Sequence, residues 1–83
     1  MSRDDEDIVN QVLRGDRDAF GVLIDRHRGT ATRLALRILR VRADAEDVTQ
    51  DAFLHAYLDL RELRARDRFL ALLLGFVVNL ARS

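Results

Sequence analysis

Residues 43–57 read ADAEDVTQDAFLHAY, and their spacing decides what kind of element they form. Apolar residues recur at Ala45, Val48, Ala52, Phe53, Ala56 and Tyr57, with Leu60 continuing the series. Steps of three and four place them on one stripe of an α-helix. Asp44, Asp47 and Asp51 also recur at three and four and therefore share another face, with Glu46 and Gln50 beside it. Asp44 and Asp47 together resemble a carboxylate capping arrangement, which opens this helix after a turn at Arg40 to Ala43.

The same periodicity extends in both directions. Proline is absent and no run alternates with period two, so the chain is expected to be all-α. Upstream, a short helix is predicted from about Asp5 to Arg14. Ile8, Val9, Val12 and Leu13 form its stripe, acidic residues sit at its positive end, and Gly15 terminates it. Asp16 caps a second helix in which Phe20, Leu23, Ile24, His27, Ala31, Leu34, Ala35 and Ile38 keep helical phase across Gly29. That continuity predicts one long helix rather than two. Downstream, the charged segment Arg61 to Arg68 reads as a loop, with Leu63 tucked inward and Asp67 as cap of a last helix from Arg68 to the end. In that helix Phe69, Leu72, Leu73, Phe76, Val77 and Leu80 face inward, while Leu70, Leu74 and Val78 are apolar on the other side. The expected architecture is a compact four-helix bundle with one long helix.

Length and composition bound the function. Eighty-three residues at 9.5 kDa make one domain with a single modest core. Hydrophobic residues at 48% and charged residues at 34% argue for a folded domain rather than a disordered one. The absence of cysteine excludes disulfides, thiolate metal sites and a cysteine nucleophile. The uncharged run from Phe69 to Ala81 is shorter than the roughly 20 residues a membrane-spanning helix requires. The opening Ser2-Arg3-Asp4-Asp5-Glu6-Asp7 is acidic where a secretory signal is basic and then apolar. A cytoplasmic location is expected.

The formal net charge of zero conceals segregation. Three Arg face seven acids in residues 1–25, six Arg and no acid fall in 26–42, five acids and no Arg in 43–60, and five Arg against two acids in 61–83. Such blocks allow one surface to meet a basic partner and another an acidic one. All fourteen basic residues are Arg, which codon usage in a GC-rich genome explains better than a demand for bidentate contacts.

Several constellations are open to more than one reading. The acidic ridge is compatible with a binding surface, but composition alone favours a solvated helix start, where carboxylates complement the macrodipole. Asp47, Asp51 and His55 stand at steps of four, but one exposed face rarely supplies convergent metal ligands, so no metal site is expected. Arg26, Arg33, Arg37 and Arg40 line the second helix opposite its apolar stripe. They are suited to tracking phosphates, or to a solvated face partly paired with an acidic neighbour. His27 falls on the apolar stripe and reads as a core-edge residue, whereas His55 reads as a surface one. No Gly-rich phosphate loop, nucleophile beside a base or paired carboxylate pocket is visible, so neither catalytic residues nor a cofactor are expected.

Residues 43–57, with the Asp-Val-Thr-Gln-Asp-Ala-Phe core at 47–53, closely resemble region 2 of bacterial sigma factors. Residues 12–20 and 33–39 resemble the opening helices of the extracytoplasmic function (ECF) group of the sigma-70 family. Arg68-Phe69 and residues 73–82 resemble that group's last helix in this domain. The resemblance covers nearly the whole chain, and it implies a region 2 domain spanning residues 1–83. It also implies two partners. In the family the third-helix ridge docks on the clamp helices of the RNA polymerase beta-prime subunit, a role that would fall to Asp47, Gln50 and Asp51 with Glu46 and Tyr57 near. The loop before the last helix, here about Leu60 to Arg68 with Arg64, Arg66 and Arg68, forms a pocket for a base flipped from the non-template strand of the minus-ten promoter element. Asn79 would offer a donor and an acceptor to a base edge, and Arg82 would contact phosphate.

The chain departs from the family at three places. Leu72 stands where Trp is usual, which alters the pocket more than the core. Only Arg82 represents the family's basic tail, so DNA affinity is expected to be weak and its salt dependence shallow. The helix-turn-helix region 4 domain that reads the minus-thirty-five element is absent, as expected of a piece of a longer protein or of a lone domain. The resemblance thus implies a transcription initiation module. The alternative is an interaction protein that no longer reads DNA and binds polymerase or an anti-sigma factor.

Overall fold

The computed structural model describes residues 4–83; Ser2 and Arg3, used above against export, lie outside the described residues. Helix α1 spans Asp5–Leu13, α2 Phe20–Leu39, α3 Arg42–Leu58 and α4 Phe69–Arg82. Short 3-10 turns occupy Arg17–Ala19, Leu60–Glu62 and Arg66–Arg68. The described residues contain four helices and no strand, as the periodicity requires. None of these helices is long and apolar enough to cross a membrane.

Local chemistry accounts for most boundaries. The Asp4 carboxylate accepts the Asp7 N–H at 2.9 Å and caps α1, whose first turn carries Asp5, Glu6 and Asp7. Gly15 follows the helix at φ 113°, a conformation L side chains rarely adopt. Asp16 does act as a cap, accepting from Ala19 N–H at 3.3 Å, but it opens the 3-10 turn that feeds α2 rather than α2 itself. α2 runs unbroken through Gly29 for 20 residues, about 30 Å. It ends at Arg40, whose N–H still makes a helical bond to Leu36 O at 2.7 Å and whose left-handed φ of 65° then turns the chain out of the helix.

Two expected caps are corrected. Because Arg40 reverses the chain abruptly, only Arg40 and extended Val41 separate α2 from α3, and α3 begins at Arg42 without a side-chain cap. Asp44 therefore lies inside the first turn, where its charge still favours the positive helix end, and caps nothing. Asp67 falls within the 3-10 turn Arg66–Arg68, and α4 starts at Phe69 with no side-chain cap.

The core lies where α2, α3 and α4 pack on one another, with α1 laid across α2 and the 66–68 turn. Ile8, Val9, Leu23, Leu60, Phe69, Leu73 and Val77 are its largest fully buried side chains. Alanines 31, 35, 45, 52 and 56 are fully buried on the facing helices α2 and α3, so little side-chain bulk separates the two. Phe20 is the aromatic hub, edge-on to Tyr57 at 5.0 Å, Phe69 at 5.8 Å and Phe53 at 6.3 Å. On α3 the buried stripe includes Thr49, 3% exposed, while Val48 is only half-buried. Donation from the Thr49 hydroxyl to Ala45 O at 2.8 Å makes this burial tolerable. Leu63 is turned inward as expected, and Leu70 and Leu74 are partly covered against the core rather than bare.

Candidate functional site

α3 presents its outer face along one line. Asp44, Asp47, Gln50 and Asp51 are exposed, and among the described residues Asp47, Gln50 and Asp51 have no side-chain hydrogen bond or ion pair. Leu54, 57% exposed, and Leu58, 68% exposed, continue the same line at steps of three, four and seven. The sequence reading omitted both leucines. Their signal was present, since two apolar side chains fall outside the buried stripe yet in phase with the ridge.

The other two ridge candidates sit differently. Glu46 borders a groove of about 530 Å³ between α2 and α3, lined also by Phe20, Ile24, Phe53 and Tyr57 and touched by Gln50 from the outer line. Tyr57 is half-buried with its ring against Phe20, so it belongs to the wall of this groove and not to the outer line. Arg42 Nε lies 4.0 Å from Glu46 Oε1, both well exposed and therefore weakly coupled. Leu54 belongs to the groove rim as well as to the ridge, which makes the two surfaces continuous.

Among the described residues no three His, Asp or Glu side chains are grouped to hold a metal ion. His55 instead stacks on Phe76 of α4, ring centroids 5.3 Å apart and 24° from parallel. His27 is buried, as its place on the stripe implied, and its Nε2 lies 2.7 Å from Asp5 Oδ2. Asp5 Oδ1 also accepts from Arg26 Nη1 at 2.8 Å, so one carboxylate of α1 holds two neighbouring residues of α2. This partly pairs the basic stripe; Arg33 donates to Thr30 Oγ1 at 3.3 Å, while Arg37 and Arg40 have no side-chain partner among the described residues.

The second candidate surface lies at the other end of the chain. Arg64, Arg66 and Arg68 are all exposed in the loop between α3 and α4. Arg66 Nη1 donates to Asn10 Oδ1 of α1, whereas Arg64 and Arg68 have no side-chain partner among the described residues. Asn79 and Arg82 are exposed on α4, three residues apart and so on one face. Exposed Ala71 and Gly75 lie on that face between Arg68 and Asn79, leaving a stretch of helix with little side chain above its backbone. Leu72, which its spacing places on the inward face of α4, is half-buried against the core.

A family model for sigma-70 region 2 matches residues 23–83. The chain is 32% identical over 79 residues to the RNA polymerase sigma-H factor of Pseudomonas aeruginosa, covering 95% of this chain and 41% of that one. It is 32% identical over 72 residues to the ECF RNA polymerase sigma factor SigW of Bacillus subtilis, covering 87% and 38%. It is 33% identical over 79 residues to the ECF RNA polymerase sigma-E factor of Escherichia coli, covering 95% and 41%. The chain thus spans about two-fifths of the length of these relatives. No solved structure matches it. With the all-helical architecture, the exposed α3 ridge and these similarities in agreement, the chain belongs to the sigma-70 region 2 family, in its ECF group.

Proposed function

We propose that this domain is a transcription initiation module that docks on core RNA polymerase through α3 and reads a minus-ten promoter element through the loop before α4 and the outer face of α4. The observation that carries the reading is the α3 line itself. Its polar members Asp47, Gln50 and Asp51 have no side-chain partner among the described residues, and in Leu54 and Leu58 it keeps apolar surface that the fold leaves uncovered. Carboxylates steer a basic partner and fix its register, while the leucines supply area whose burial gives affinity. The beta-prime clamp helices are the partner that the family resemblance implies, with Glu46 and Tyr57 at the edge of the contact.

DNA reading needs different chemistry, and α4 supports it. Capturing a flipped base stabilises the melted strand by an amount equal to the differential affinity for the open state. Asn79 supplies the paired donor and acceptor for a base edge, while Arg64, Arg66, Arg68 and Arg82 give the region positive charge. Nothing in this scheme requires a nucleophile, an acid–base pair or a metal; the work is done by binding.

Titration of the 83-residue chain against an isolated beta-prime clamp-helix fragment tests the docking. Asp47→Ala, Gln50→Ala and Asp51→Ala, each verified as folded by circular dichroism, should weaken binding. Absence of binding by the folded parent overturns it. Binding of a single-stranded minus-ten oligonucleotide that Asn79→Ala abolishes supports reading. Retained docking with no DNA binding leaves a protein that occupies polymerase without reading a promoter.

A further inference from the structure

The loop of residues 59–68 is anchored unevenly. Leu60 is buried at its start, Leu63 packs inward and Phe69 is buried just after its end, yet residues 64–68 are all exposed. Within this exposed stretch the backbone contributes one turn bond, Arg68 N–H to Ala65 O at 2.9 Å, and the 3-10 turn has no side-chain cap. Among the described residues, the sole side-chain hydrogen bond joining the loop to another element is that from Arg66 to Asn10. Asn10 sits on α1, a helix outside the residues that the region 2 family model matches.

α1 is itself held at two places. Asp5 grips Arg26 and His27 of α2, and Asn10, more than one turn further along, grips the loop. The buried Ile8 and Val9 lie between these two polar contacts and seat the helix on the core. α1 therefore spans from the long helix to the base-reading loop as a strap. Three arginines at every second position in a five-residue exposed stretch repel one another, and an uncharged acceptor on a rigid helix gives one of them a defined place.

We propose that Asn10 is a positioning residue for the reading loop and that Arg66 is its anchor, leaving Arg64 and Arg68 as the loop's phosphate contacts. The proposal rests on the DNA-reading function above and divides the three loop arginines, which sequence alone treats alike. Arg66 acts inward: its guanidinium, spent on Asn10, fixes the turn that carries its two neighbours. Removing the acceptor frees the turn, so a binding-competent loop becomes a smaller fraction of the population and apparent affinity falls by that fraction.

The test combines amide hydrogen exchange with salt-dependent binding of a single-stranded oligonucleotide pool. Asn10→Ala and Arg66→Ala should each speed exchange of the Arg68 amide by roughly threefold to tenfold without affecting the α2 and α3 amides. Asn10→Asp, which keeps the acceptor, should restore protection. In binding, Arg64→Ala and Arg68→Ala should each reduce the slope of log K against log salt by about 0.7. Asn10→Ala and Arg66→Ala should lower affinity with the slope unchanged, and their double variant should be no weaker than either single one. Unchanged exchange in both single variants overturns the anchor. A slope that falls by about 0.7 in Arg66→Ala assigns that residue to phosphate instead and also overturns it. Faster exchange with no binding of any strand by the parent refutes DNA reading, and with it the loop's role, while showing the strap to be structural.

Discussion

Replacing Asp5 by alanine should cost this domain about 2 kcal/mol, far more than a surface acid at a helix start ordinarily costs. The Asp5 side chain is 15% exposed and its two oxygens are divided between His27, 11% exposed, and Arg26, 32% exposed. An ionised carboxylate only accepts, so His27 Nε2 donates, and truncation leaves that N–H covered and unpaired. Loss of a hydrogen bond between largely buried partners of this kind costs about 1.5 kcal/mol. The Arg26 pair, a third exposed on the Arg side, adds about 0.5 kcal/mol after screening by solvent. For a domain of this size the sum corresponds to a drop in Tm of roughly 10 °C. Urea denaturation followed by circular dichroism measures it, with Glu6→Ala as control, because Glu6 shares the same first turn and has no side-chain partner among the described residues. A difference of less than about 0.5 kcal/mol between the two variants would refute the reasoning. So would strict additivity of Asp5→Ala with His27→Ala, since the cycle isolates their coupling.

Three further outcomes follow from geometry. Arg40→Gly should stabilise the domain by about 1 kcal/mol, because Arg40 ends α2 at φ 65°, where an L side chain is strained; a lower Tm would contradict this. Gly29→Ala should add roughly 0.5 to 1 kcal/mol by stiffening mid-α2. Its Cβ would meet only Arg33 Nη1 at 3.3 Å, the far end of a flexible chain, and the midpoint of urea unfolding reports the gain. Leu54→Ala should leave stability within about 0.5 kcal/mol of the parent. It should nonetheless weaken binding to the clamp-helix fragment roughly tenfold by isothermal titration calorimetry, an effect whose absence would remove the leucines from the docking surface.

What could be read without the fold was whatever repeats locally. The helices at 5–13, 20–39, 42–58 and 69–82 announce themselves because apolar residues return every three or four positions, and a helix converts that spacing into a face wherever it lies. The ridge at Asp47, Gln50 and Asp51 is legible for the same reason, and Leu54 and Leu58 were legible in principle. Two caps were misread because a cap depends on the dihedrals before it as much as on its side chain. Once Arg40 turns left-handed, α3 begins before Asp44 is reached.

Tertiary structure alone decided three matters. It buried Thr49 and left Val48 half-covered while Ala45, Ala52, Phe53 and Ala56 kept their expected places, because both α2 and α4 pack on α3 and the face they cover together takes in position 49. It brought Asp5 to Arg26 and His27 across 21 and 22 residues, and Asn10 to Arg66 across 56. It also parted the arginines of the loop before α4, tying Arg66 to α1 and leaving Arg64 and Arg68 without a side-chain partner among the described residues. Periodicity is a property of one helix and survives in its sequence. Which distant side chains meet depends on how four helices cross, and that is set by the packing of all their faces at once.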